Sequence, residues 1–313
     1  MTIFWILFLS IILGAVFFDL FWQGRKKTTL SLKEAGLWTI IWISLSLLFN
    51  LLIYLFISPE KALEFFTAYL LEKSLSLDNL FVFLVIFSYF DIAPIFQQKI
   101  LKWGILGAFI MRALFIFGGI WLLKSFDFLF FIFGGFLVFS GIKLIFQKEE
   151  KIQPDKNLFL RIIKKIAPFA QDTKGCRFFL KNGNTICITQ FFAALVIIES
   201  SDLIFAIDSV PAVLSITQDR FIAYTSNAFA ILGLRALYFF LIGFLPKFVY
   251  LKKGVIALLI FIGAKMILGE FFHIPIAISL AMIAAILTIA IILSMLKNRK
   301  IKNNNQKERV IAH

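Results

Sequence analysis

The sequence predicts an all-α integral membrane protein of about nine transmembrane helices, with an inverted repeat of three helices (spans 3–5 and 6–8). Three observations carry this fold class. Hydrophobic residues make up 61% of the 313, against roughly 45–50% in a soluble domain, and they gather in runs of about 20. Lysines and arginines fall into alternate connections between those runs. A set of polar residues recurs in the same order in the two halves of the chain.

Taken in order, the expected spans are Ile3–Trp22, Leu37–Ile57, Phe65–Phe90, Trp103–Leu123, Phe126–Phe146, Ile186–Thr217, Phe221–Leu245, Val255–Phe271 and Ile274–Leu296. The first lacks a charged leader and a small-residue cleavage site, so Met1 to Trp22 is expected to stay as a span. The third and sixth are longer than a straight span needs, and both carry acids. Pro211 lies within the sixth, three residues after Asp208. Proline removes a helical hydrogen bond, which predicts a break there. The chain therefore divides into two N-terminal helices (1–64), a first repeat (65–146), a basic cytoplasmic loop (147–185), a second repeat (186–271), a last helix (272–296) and a basic tail (297–313). Within the loop, Arg161–Ala170 has two readings, an amphipathic surface helix or a solvated linker. The tail reads as disordered.

Charge sets the orientation. Of the 32 Lys and Arg, 24 lie in the connections after spans one, three, five, seven and nine. Only Lys61, Lys124 and Arg220 lie in the opposite connections. The positive-inside rule then places the N-terminus outside and the C-terminus inside. The same segregation accounts for the net charge of +14 without nucleic acid.

The repeat rests on four points in register. Glu72 and Asp78 match Asp202 and Asp208, both pairs six residues apart. Arg112 in MRAL matches Arg235 in LRAL, and Gly141 with Lys143 matches Gly263 with Lys265. A unit of three spans is odd, so the second copy must be inverted, as in many secondary transporters whose substrate sits at the repeat interface.

The acids carry the functional argument. A carboxylate at mid-membrane costs about +2.5 to +3.5 kcal/mol on the lenient insertion scales. Glu72, Asp78, Glu199, Asp202 and Asp208, with Asn79 and Ser209 beside two of them, form an oxygen-rich donor set. Such a set suits Mn²⁺, Ca²⁺ or Mg²⁺ better than Zn²⁺ or Cu⁺. The two His (His273, His313) and two Cys (Cys176, Cys187) supply neither a His-rich metal site nor a disulfide framework. Arg112, Arg235, Lys143 and Lys265 are candidate counter-ions or gating residues. A structural ion-pair network, or an anion site built on the two arginines, stands as an alternative; the two lysines also fit as interfacial snorkelling groups. Asn227, two turns before Arg235, is either a ligand or an interhelical hydrogen bond. Hydrolase, nucleotide-binding and metalloprotease motifs are missing, so no enzyme activity is expected.

The strings EKSLSLDNLFVF, WGILGAFIMRALFI, IFGGFLVFSGIKL, IESSDLIFAIDSVPAV and TSNAFAILGLRALYF together resemble the TerC family of integral membrane proteins, over roughly Leu37 to Leu268. The resemblance implies a multi-pass protein of the bacterial inner membrane, related to the lysine-exporter-like group. It also implies links to tellurium resistance, manganese efflux and metal supply to exported proteins. The family's acidic motifs match at Glu72, Asp78, Asn79, Glu199, Asp202 and Asp208. The expected function is a secondary transporter of divalent cations, foremost Mn²⁺ efflux. Protons are a candidate coupling ion, the bilayer and other membrane proteins are the expected partners, and no cofactor is required. The rival expectation is a non-transporting membrane scaffold acting through the loop at 147–185.

Overall fold

The computed structural model describes residues 2–18, 31–126, 128–146, 168–170, 177–182, 185–242, 250–268 and 275–311. The helices are α1 (Thr2–Phe17), α2 (Leu32–Phe56), α3 (Pro59–Tyr89), α4 (Pro94–Ser125), α5 (Leu129–Phe146), α6 (Gln190–Leu214), α7 (Arg220–Ile231), α8 (Leu234–Leu241), α9 (Leu251–Leu268) and α10 (Ile276–Ile311). Four described stretches are long and apolar enough to cross a bilayer: Leu32–Phe56, Pro94–Ser125, Gln190–Leu214 and Ile276–Lys297. Large apolar side chains such as Ile3, Leu114 and Phe146 point outward from the fold, as lipid-facing surface does.

Local chemistry decides where the helices start. Ser31 and Glu34 form a reciprocal capping box, so α2 begins five residues before its apolar run. Ser58 accepts from Lys61 N, and Pro59 occupies the first turn of α3. Pro94 opens α4, and Asp219 Oδ1 accepts from Phe221 N and Ile222 N to cap α7.

Four expectations need correction. Thr185–Thr189 is a strand, β3, and the sixth helix begins at Gln190. This strand lies between β1 (Phe169–Ala170, parallel) and β2 (Phe179–Asn182, antiparallel) in a small sheet. Its Thr-Ile-Cys-Ile-Thr sequence favours strand over helix, and the sheet takes the place expected of a plain linker. Pro211 does not break α6, which runs on to Leu214. The proline forfeits the one bond its N–H would give Ile207 O, and the helix closes beyond it, with Ser215 N donating to Pro211 O at 3.0 Å. The break lies instead at Leu232–Gly233, which divides the expected seventh span into α7 and α8. Gly233 has φ +76°, a left-handed conformation that glycine adopts at little cost. Finally, α10 continues through the basic tail to Ile311. Residues 147–167, with most of the possible amphipathic segment, as well as Cys176 and His273, lie outside the described residues.

Packing interleaves the two halves. α4 lies along α6, α3 lies along α7, and α3 also meets α6. α5 and α9 pack against each other more extensively than any other pair. Glycines permit that approach: a Cβ on Gly263 would stand 2.6 Å from Gly134 O, and one on Gly134 2.8 Å from Gly263 O. At one end, aromatic rings knit the first helices to α7. Phe49 and Phe229 centroids are 4.7 Å apart, and Trp5 meets Phe221 edge-on at 5.0 Å.

Candidate functional site

The polar residues gather where α3, α4, α6 and α7 meet. Glu72 on α3 is fully buried and ion-paired with Arg112 Nη1 from α4. Asn227 on α7 closes a triangle with them: its Oδ1 accepts from Arg112 Nη1 at 3.2 Å, and its Nδ2 donates to Glu72 Oε2 at 3.2 Å. Both oxygens of Glu72 are thus engaged by the protein itself. Such a buried pair is strongly held only when its remaining hydrogen-bonding capacity is met, and Asn227 meets part of it.

One turn and more further along α3, Asn79 Nδ2 donates to Asp202 Oδ1 on α6 at 2.9 Å. Asn79, Asp202, Arg112 and the buried Arg235 line a small cavity of about 20 Å³. That volume holds about one water or one bare ion. Asn79 and Arg112 also line a second cavity of about 400 Å³, whose far wall carries Asp208, Ser209, Ser140 and Lys143. Asn79 and Arg112 are thus wall residues common to both cavities. In the larger one, Ser140 and Lys143 face the Asp208 carboxylate. Asp208 Oδ1 and Ser209 Oγ are buried without a hydrogen-bond partner among the described residues.

Glu199 lies one turn before Asp202 on α6, and the two carboxylates are close enough to interact. Its oxygens sit on the backbone of α4, 2.3 Å from where a Cβ on Gly107 would be. Glycine at 107 makes the space for this carboxylate. Lys265 Nζ turns away from the acids to Ser215 O, 3.3 Å distant. The Asp78 side chain lies outside the described residues. Among the described residues, no three His, Cys, Asp or Glu side chains converge as a ready-made metal centre. The acids are spread over the site: Glu72 beside Arg112 and Asn227, Asp202 beside Asn79, Asp208 beside Ser140 and Lys143, and Glu199 beside Asp202.

Two groups escaped the sequence reading. Lys73, next to Glu72, donates to Ala230 O at 3.0 Å and Leu232 O at 3.3 Å, at the break between α7 and α8. Glu64, at the start of α3, is buried and bound by Lys61 Nζ at 2.9 Å and by Thr217 Oγ1. Glu64 falls one residue before the apolar run at Phe65, so span-hunting passes it by. Lys73 was legible only as one more base inside a span.

The family model described as "Integral membrane protein TerC family" matches residues 57–302. The chain belongs to the TerC family. A protein of Myxococcus xanthus named "Uncharacterized membrane protein STKORF319" is 41% identical over 296 residues, covering 94% of this chain and 92% of that one. The "Putative membrane-bound redox modulator Alx" of Salmonella typhi is 40% identical over 291 residues, 90% of each chain. An "Uncharacterized membrane protein" of Rickettsia felis is 37% identical over 297 residues, covering 95% of this chain and 99% of its own. No solved structure matches this chain. The family match takes in the whole polar core, from Glu64 to Lys265.

Proposed function

We propose that this TerC-family chain is a secondary transporter of divalent metal cations across the bacterial inner membrane, with Mn²⁺ efflux as its principal activity. The observation that carries this reading is a pair of cavities that share Asn79 and Arg112 in their walls, one bearing Asp202 and the other Asp208. The larger cavity has room for an ion with part of its hydration shell. The smaller fits an ion only after it has shed most of its water. Carboxylate, amide and hydroxyl oxygens are the donors that hard divalent ions take. Asp208 and Ser209 would receive the ion on one side, and Asp202 with Asn79 on the other. Glu199, beside Asp202, extends that second set, and Asp78 is the counterpart of Asp208 in the repeat.

The interleaved packing of α3 on α7 and of α4 on α6 supports an inverted repeat with the site at its interface. Nine spans, N-terminus outside, remain the topology we adopt, with α7 and α8 counted as one broken span. Arg112 acts in this scheme as the internal counter-ion of Glu72, so that Glu72 joins the ligands only when Arg112 releases it. Protons are the exchanging ion we favour. The alternative reading is a non-transporting membrane scaffold acting in tellurium resistance or in metal supply to exported proteins.

The test compares cellular manganese in cells expressing the wild type, Asp208→Asn, Asp202→Asn or Asp78→Asn at equal membrane levels. Export predicts lower manganese with the wild type and no lowering with the variants. Unchanged manganese in every strain would remove the transporter reading and leave the scaffold.

A further inference from the structure

Among the described residues, the broken span has no equal in the first repeat. α4 runs without interruption from Pro94 to Ser125 past Arg112. Its expected counterpart stops at Ile231 and restarts at Leu234, immediately before Arg235. A helix that stops leaves its last carbonyls without intrahelical donors. Inside a membrane those carbonyls must find a partner in the protein or in a cavity. Here the partner is an ammonium: Lys73 Nζ lies 3.0 Å from Ala230 O and 3.3 Å from Leu232 O.

Electrostatics favours a cation at this point over any neutral donor. The C-terminus of a helix carries roughly half a negative charge, and the effect strengthens where water is excluded. Unwound carbonyls and half-helix C-termini are the groups with which broken-helix transporters coordinate small cations. Two convergent main-chain oxygens at a helix C-terminus present that chemistry whether the positive charge is free or tethered.

We propose that the break at Leu232–Gly233 is a seat for one monovalent positive charge, occupied in this chain by its own Lys73. The tethered ammonium holds the turn from which Arg235 enters the wall of the small cavity. A Na⁺, K⁺ or NH₄⁺ ion takes the same oxygens when the lysine is shortened. This assignment is independent of which ion the protein transports, because its test reads unfolding and not transport.

The experiment uses the purified full-length chain in detergent. Thermal unfolding is followed by tryptophan fluorescence in choline, sodium, potassium and ammonium chloride at one ionic strength. The wild type is expected to unfold at the same temperature in all four salts. Lys73→Ala is expected to unfold several degrees lower in choline and to recover most of that loss in one of the small-cation salts. Lys73→Gln keeps a hydrogen-bond donor without the charge and is expected to stay below the wild type in choline. Either a Lys73→Ala protein as stable as the wild type in choline, or one that no small cation restores, overturns the proposal. A Lys73→Gln protein equal to the wild type overturns it too, by showing that a neutral donor suffices, and decides the matter if the alanine variant does not survive extraction.

Discussion

Arg112 and Glu72 form an ion pair between α4 and α3 in which the acid is wholly buried and the guanidinium nearly so, at 0% and 3% side-chain exposure. Asn227 bonds to both partners, so the pair and the amide make one closed unit joining three helices. The pair holds the arginine that also lines both cavities.

Removing one member of this unit should cost more than removing both. Breaking a buried pair leaves an uncompensated charge and typically costs about 3–5 kcal/mol, whereas replacing both members by apolar groups of like volume is often neutral or better. Arg112→Leu and Glu72→Leu should each unfold at markedly lower temperature than the wild type, read by thermal unfolding in detergent. The Glu72→Leu/Arg112→Leu double variant should recover most of the loss. Additive losses in the double variant would show that the two charges are stabilised by other groups.

Asp208 should behave in the opposite way. Its carboxylate faces an open cavity of about 400 Å³, and Oδ1 has no hydrogen-bond partner among the described residues. Asp208→Asn is isosteric and its amide oxygen can still accept from Ser140, so stability should hold within about 1 kcal/mol. Manganese export should fall at least tenfold. A variant that loses stability and export together would mark Asp208 as a structural acid.

Much of this site was legible in the sequence because charge is rare in a span. The spacing of six in Glu72–Asp78 and Asp202–Asp208, with the MRAL and LRAL arginines, picked out Asp202, Asp208, Arg112 and Arg235, which line the two cavities, and Glu72, which pairs with Arg112. Helix starts were less legible from hydropathy, since Ser31, Ser58 and Pro94 lie in polar sequence ahead of the apolar runs. The break was misplaced for a physical reason. Pro211 is the stronger breaker on paper, but the helix carries it through to Leu214 with the loss of the bond to Ile207 O. Gly233 reads as an ordinary interior glycine, and neither its left-handed conformation nor the approach of Trp42 from another helix, 2.6 Å from where a Cβ would sit, is visible in the sequence. Lys73 could not be assigned until that break was located, because its partners are main-chain carbonyls that no sequence displays.

Gly233→Ala tests that point. A left-handed alanine costs roughly 1–2 kcal/mol, and the added methyl would also overlap the Trp42 side chain. The combined loss should exceed about 2 kcal/mol in thermal or denaturant unfolding. Against a Trp42→Ala background, which removes the overlapping Cγ and Cδ1, Gly233→Ala should cost less by part of the overlap and keep the backbone portion. Absence of any cost in that background would mean that residue 233 tolerates the left-handed conformation without glycine.

The glycines of α4 offer a comparison that separates site from scaffold within one helix. A Cβ on Gly107 would lie 2.3 Å from both carboxylate oxygens of Glu199, a distance that real contacts do not reach. A Cβ on Gly118, eleven residues later, would meet nothing within 4 Å. Gly118→Ala should therefore be neutral or stabilising by up to ~1 kcal/mol, through helix propensity alone. Gly107→Ala gains the same propensity but must push Glu199 off its seat, and with it disturb the neighbouring Asp202. Its stability should change by no more than about 1–3 kcal/mol, since Glu199 is only partly buried and can swing away. Its manganese export should fall severalfold, while Gly118→Ala exports like the wild type. Restoring space by Gly107→Ala/Glu199→Asp, which draws the carboxylate back by one methylene, should recover part of the export. If Gly107→Ala exports normally, the position of Glu199 does not matter to the ion path, and the donor set narrows to Asp202 and Asp208 with their amide and hydroxyl neighbours.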